Sequence, residues 1–286
     1  MPDTALKPSG IYRFTSIARP VDPRYPTNRA VLILLPILAL ASAGMAAVLD
    51  LNGSMLSAAF GTLLTGFAAW ALTRELAPDD DAAAFLALAL SWPAHLFLGA
   101  SSVLLPFVAL FLVRIVNRST GPMARPFDTV AILGFTIWAA ISLGQHLILL
   151  LAAAAFSLNA TLRDPQRNHL LAAAVCLAVF GWLVAGAFPL TFGYVGLQDW
   201  WIVLLLAGAN ILVLAQAGEP ASVCDVFSER LDKKRVAAGL VLGFLVAFQA
   251  LITEGRAAWL ETPIWACLVA VPVSLLARRL WKWGHS

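Results

Sequence analysis

The sequence predicts an all-α polytopic membrane protein of about ten transmembrane helices, arranged as helical hairpins with both termini cytoplasmic. Three observations carry the prediction. The first is composition: of 286 residues, 60% are hydrophobic and 12% charged, and the mean hydropathy is +0.83. Soluble domains carry about 25% charged residues, and a soluble chain must show part of every residue class to water. A bilayer lifts that demand and forces the backbone into helices. The second is that apolar runs long enough for about 17–20 helical residues recur along the chain, separated by polar turns. The third is that Lys and Arg gather in alternate turns. The period-two alternation of membrane barrel strands is absent.

Residues 1–30 read as a cytoplasmic, basic, Pro-rich arm, with Pro2, Pro8, Pro20, Pro23 and Pro26 among Lys7, Arg13, Arg19, Arg24 and Arg29. Its piece Ile11–Ile17 is suited to lie on the membrane surface. The transmembrane domain covers 31–280. Its first span, Val31–Leu49, contains Ala41-Ser42-Ala43, a small-residue pattern like a signal-peptidase site. The apolar run continues to Leu49 after a long basic region, so the helix is read as retained. Span two, Met55–Thr73, carries Gly61 and Gly66, which allow close helix approach in lipid.

Two apolar blocks follow, Ala82–Arg118 and Asp128–Leu162, each broken at its middle. The breaks are Trp92–His95 with Gly99–Ser102, and Ser142–His146. Each block reads as a hairpin whose arms of about 17 residues, roughly 25 Å of helix, are just long enough to cross. Re-entry would serve the charge pattern equally well. Crossing is preferred because it leaves no backbone unpaired in lipid. Leu170–Phe188, Trp200–Ala217, Val236–Thr253 and Thr262–Leu280 complete the count, and 281–286 is a short cytoplasmic tail.

Orientation rests on charge. With ten crossings and the N-terminus inside, every one of the 19 Lys and Arg except Arg256 falls on the cytoplasmic side. That bias sets membrane topology and points to a bacterial-type inner (plasma) membrane. Cys176, Cys224 and Cys267 have no metal or redox spacing. No basic stretch interleaved with aromatics supports nucleic-acid binding. The expected partners are the lipid bilayer, other membrane proteins or a second copy of the chain.

Three groups of residues are candidates for chemistry. The turn Arg74–Asp81 ends in Asp79, Asp80 and Asp81, which could bind a divalent cation and, through it, a phosphate. Capping of the next helix by the same aspartates is the simpler expectation. His95, Gln145 and His146 lie near the outer hairpin tips, where imidazoles titrating near neutrality could relay protons or meet a solute. Asn210 lies mid-span, where a buried amide either ties helices together or lines a path. No charged residue falls near the centre of any predicted span, unlike most ion-coupled carriers. There is no nucleotide-binding loop and no Ser/His/Asp arrangement, and the sequence leaves the cofactor unknown.

Ten short spans in under 300 residues, both termini inside, resembles the drug/metabolite transporter superfamily in size and topology; the long loop Gly218–Arg235 departs from two equal five-helix halves. The leading functional expectation is a carrier for a neutral, organic or lipid-like solute, with a path near His95, Gln145, His146 and Asn210. The alternatives are a non-catalytic subunit or assembly factor of a larger membrane complex, and an enzyme acting on a lipid-linked phosphate at Asp79–Asp81.

Overall fold

A computed structural model describes residues 10–49, 54–98, 102–186, 188–227 and 229–283. They form ten α-helices: α1 (Pro26–Val48), α2 (Met55–Leu76), α3 (Asp81–Leu98), α4 (Leu104–Asn117), α5 (Pro126–Leu143), α6 (Ile148–Thr161), α7 (His169–Ala185), α8 (Leu197–Gln216), α9 (Lys233–Glu254) and α10 (Thr262–Trp283). No strand occurs among the described residues, apart from a single bridge between Val223 and Arg230. Seven helices are long and apolar enough to cross a membrane, with α9 continued by a 3₁₀ turn to Leu260; α4, α6 and α7 are apolar but shorter, at 14, 14 and 17 residues. The chain is an α-helical membrane protein.

Local chemistry sets the helix ends. Pro26 opens α1, where its missing N–H costs nothing. The Ser54 hydroxyl accepts from Ser57 N at 3.1 Å and caps α2, and Asp232 accepts from Arg235 N at 3.0 Å and caps α9. Asp128 reaches back to Arg125 N at 3.0 Å to fix the start of α5. That helix ends at Gly144, in the left-handed conformation with φ 66° that glycine adopts without strain.

The core centres on α4, whose face from Leu105 to Val116 is buried between α2, α9 and α6. Small residues set the closest approaches. At Gly61 a Cβ would overlap the His95 ring, and at Gly66 it would meet Leu88 and Leu35. These two glycines let α1, α2 and α3 pack as a layer.

The hairpin expectation is corrected for the first block. α3 packs between α2 and α10, while α4 packs on α9 and α2, so α3 and α4 scarcely touch. In the second block α5 and α6 do meet, but α6 packs chiefly on α7. Hydropathy marks where a chain turns back, and the fit of small faces such as Ala83, Ala84 and Ala87 decides the neighbour. Gly99–Ser101 of the first tip lie outside the described residues.

Beyond a 3₁₀ turn at Gly10–Arg13 the arm is tied to the helix ends by hydrogen bonds and ion pairs, while Ile11 and Phe14 stay exposed. Ser16 is buried, and its N and Oγ both donate to Asp128 Oδ2 at 2.8 Å. Its carbonyl accepts from the Thr120 hydroxyl. Arg125 donates to Tyr12 O at 3.1 Å and Arg114 to Ile17 O at 3.2 Å. Arg19 pairs with Glu75 at 3.3 Å and Asp225 at 2.7 Å. Buried carboxylates need donors and charge partners, and the arm supplies them.

These contacts gather helix ends on one face. The starts of α1, α3, α7 and α9 meet the ends of α2, α10, α6 and α4 through Arg74–Asn28, Arg278–Asp80, Asn159–His169 and Arg235–Val116, and the arm meets the start of α5 through Ser16–Asp128. At the opposite face the start of α8 meets the residues after α9 through Asp199–Arg256, and the end of α5 meets that of α9 through Gln145–Glu254.

Candidate functional site

The four expected path residues occupy three separate places. Asn210 on α8 donates through Nδ2 to Leu206 O at 2.9 Å in its own helix and to Leu268 O of α10 at 3.1 Å. It is a tie between two helices. Gln145, just beyond the end of α5, donates to Glu254 Oε1 at 2.5 Å and accepts from Gln249 Nε2 at 2.6 Å. His146 stands edge-on to Phe188 with ring centres 5.7 Å apart, and burial lowers the pKa of its imidazole. His95 lies against Gly61 on α2. No described hydrogen bond joins these three places.

The three aspartates diverge. Asp79 Oδ1 accepts from Ser222 Oγ at 2.6 Å and Ser222 N at 2.8 Å, and Oδ2 from Ala221 N at 2.9 Å. Burial works against its charge, but the Ser222 and backbone donors prevail and hold its carboxyl below the ordinary range. Asp80 accepts from Ala83 N at 3.2 Å and Ser274 Oγ at 3.0 Å, and pairs with Arg278 at 2.6 Å. Asp81 faces Arg74 at 3.8 Å. No group of three His, Cys, Asp or Glu among the described residues has the geometry of a metal site. Asp80 caps α3, and Asp79 fastens the α8–α9 loop.

Two clusters were not legible in the sequence. One surrounds Glu75, 1% exposed at the end of α2 between the guanidiniums of Arg19 and Arg114. The other lies at the opposite face, where Gln145, Gln249 and Glu254 adjoin Glu261, which is 4% exposed. Burial pushes the Glu261 carboxyl up to about 8, and the Glu254 carboxylate adds to the shift. The spacing of Glu254 and Glu261 around a 3₁₀ turn gave no periodic signal, because helical pairing rules stop where the helix does.

An amphiphilic cleft lies at the Gln216 end of α8. It has a volume of about 270 Å³, with Val213, Leu214, Val236 and Leu275 forming apolar walls and Lys233 and Arg278 at its rim. Asp79 and Glu219 share the rim. Only Asp199, Val203 and Asn210 of α8 are buried, so that helix presses lightly on the core. Polar ties hold it instead: Asn210 to Leu268 O at mid-length, and Asp199 to Trp259 Nε1 at 3.0 Å and Arg256 Nε at 3.2 Å at the Leu197 end. The cleft thus opens where α8 has no such tie. No family model, no curated protein and no solved structure matches this chain.

Proposed function

We propose that this chain is a ten-pass inner-membrane carrier for an amphiphilic, lipid-like organic solute, with both termini in the cytoplasm. The observation that carries the reading is the attachment of α8. A lipid-facing helix held by discrete hydrogen bonds above a mixed cleft can part from its neighbours at little packing cost, because few side chains lose contacts when it moves. An amphiphile presents an apolar tail to Val213, Leu214 and Leu275 and a polar head to Lys233 and Arg278.

The ten-pass topology has two supports. All Lys and Arg but Arg256 fall in the segments assigned to the cytoplasm, and the helix ends expected on that side bond to one another. The short α4 and α6, roughly 21 Å each, have buried polar residues at their ends: Asn117 of α4 donates to Glu75 O and Asn159 of α6 accepts from Arg118 Nε.

The test uses the full chain in phosphatidylcholine nanodiscs, titrated with dansyl-labelled single-chain amphiphiles bearing anionic, zwitterionic or neutral heads. Saturable binding above empty nanodiscs, weakened by Lys233→Glu and Arg278→Glu, is expected. Equal partitioning into empty and loaded nanodiscs overturns the reading. A second reading, a non-catalytic subunit or assembly factor, draws on the broad apolar sides of α7 and α8, where Leu171, Trp182 and Leu205 are exposed. It predicts a stoichiometric partner chain on purification in mild detergent.

A further inference from the structure

On the face opposite the amphiphile cleft a buried carboxyl stands without a counter-charge. Glu261 lies between the 3₁₀ turn Gly255–Leu260 and α10, and is 4% exposed. The Ser102 N–H, ahead of α4, donates to it, while its Oε2 is buried and has no hydrogen-bond partner. Glu254, the last residue of α9, brings a second carboxyl close enough for its charge to act on the first. No ion pair among the described residues reaches either one. Arg256, between them in sequence, turns to Asp199 instead, and His146, on the neighbouring α5–α6 turn, faces Phe188.

Two amides fix where the negative charge sits. Gln249 Nε2 donates to Gln145 Oε1 at 2.6 Å, and Gln145 Nε2 donates to Glu254 Oε1 at 2.5 Å. An ionised carboxylate only accepts, so it draws the Gln145 N–H toward itself and turns the Gln145 oxygen to Gln249. At the end of this chain Gln249, 5% exposed, keeps a buried Oε1 with no partner. A protonated Glu254 would donate, and both amides would reverse. The observed direction goes with an ionised Glu254 and leaves the proton of the pair on Glu261. Two neighbouring carboxyls away from water ionise one at a time, and burial, with the Glu254 charge added, keeps Glu261 protonated up to about 8.

The pair sits at one end of two helices that wall the cleft at the other. α9 gives Lys233, Val236 and Leu240 to the cleft and ends at Glu254; α10 begins beside Glu261 and gives Leu275 and Arg278. We propose that Glu254 and Glu261, ordered by Gln145 and Gln249, form a proton-binding site whose proton couples the carrier to a pH gradient. With the proton bound, the pair holds a single negative charge and the ends of α9 and α10 stay together. Glu254, only half-buried, opens the pair to water. Release of the proton leaves two adjacent carboxylates, whose repulsion drives those ends apart and pulls on the Gln145 tie between α5 and α9. As rigid elements, α9 and α10 carry the displacement to the cleft. The proton site stands on the carboxyl and amide geometry; the coupling rests on the carrier reading.

The full chain in phosphatidylcholine nanodiscs is titrated with pH while infrared difference spectroscopy follows the carboxylic C=O stretch. The natural protein should show a protonated carboxyl that titrates near about 8 and is absent from Glu261→Gln. In Glu254→Gln the same band should titrate about one pH unit lower or more, because the like charge is gone. A natural protein without the band, a Glu261→Gln protein that keeps it, or a Glu254→Gln protein whose titration has not moved overturns the site. Where Glu261→Gln does not fold, the Glu254→Gln titration decides. Coupling is read in proteoliposomes with trapped pyranine: addition of a dansyl-labelled single-chain amphiphile should change the internal pH with the natural protein, and the change should be lost in Glu261→Gln. Saturable amphiphile binding without a pH change overturns the coupling and leaves the carrier reading standing. No amphiphile binding overturns the carrier reading and the coupling together, and the infrared titration still decides the proton site.

Discussion

Glu75→Gln is the sharpest test of the buried charge network. Glu75 is 1% exposed, and its Oε1 lies 3.0 Å from Arg114 Nε and 3.3 Å from Arg19 Nη1. At such distances and an effective dielectric near 20, each attraction is roughly 5 kcal/mol before desolvation is subtracted. Glutamine keeps the shape and one acceptor but removes the charge, leaving Arg114, about 10% exposed, without a counter-ion. Breaking a buried pair from one side costs about 3–5 kcal/mol, and the retained hydrogen bond places the expectation near 3 kcal/mol. The assay is SDS-titrated unfolding of the full chain in mixed micelles, with limited proteolysis at residues 10–19 alongside. Proteolysis should speed up, because Arg19 loses one of its two anchors. Arg24→Ala is the control: its pair with Asp22 has an 88% exposed arginine, and solvent screening leaves such a pair little effect on stability. The double replacement Glu75→Leu with Arg114→Met should regain part of the loss, since no unpaired charge is left between them. If Glu75→Gln unfolds where Arg24→Ala does, the network does not hold the arm and the reasoning fails.

Further expectations concern other parts of the molecule. Glu261 has a folded-state pKa of about 8 against an ordinary 4.5, so the folded protein keeps a proton that the unfolded chain gives up. Stability is therefore full below about 4.5, falls as pH rises toward about 8, and is level above that; Glu261→Gln should flatten the thermal-unfolding profile across this window. Asn210→Leu removes the tie to Leu268 O and should cost about 1 kcal/mol in SDS unfolding while quickening amphiphile binding at the α8 cleft. Gly61→Ala puts a methyl into the His95 ring and should destabilise by about 1–3 kcal/mol in the same assay, partly restored by His95→Ala. Arg163→Cys, at a side chain 68% exposed, in a Cys224→Ser background should react with an impermeant maleimide from the cytoplasmic side alone; labelling from the outer side would refute the ten-pass orientation.

The helices themselves were largely legible. α2, α3 and α10 begin within a residue of where the apolar runs predict, and α4 and α6 are shorter than their runs because Ser102–Val103 and His146–Leu147 precede the helices and Arg118 and Leu162 leave them. Gly61 and Gly66 announced close packing, and Asn210 announced a tie between helices. The candidate site was far less legible. His95, Gln145, His146 and Asn210 share similar depth in their segments, but depth does not specify azimuth, and they face different neighbours. Asp79–Asp81 are adjacent in sequence, but consecutive residues at a turn and helix start point to different sides.

Composition, run length and the placement of basic residues determined that this chain lives in a bilayer, where it turns, and which turns gather positive charge. These are local or additive properties: each segment's partition into lipid depends on its own side chains, and each loop's preference on its own charges. Only the tertiary structure decided which helices are neighbours, that the arm is threaded beneath Asp128 and Glu75, and that Arg118 and Arg235 meet at one amide oxygen. Those pairings depend on the rotation of each helix about its axis, which small-residue faces and buried polar groups fix jointly. A hydropathy profile, summed around the helix, has already averaged that angle away.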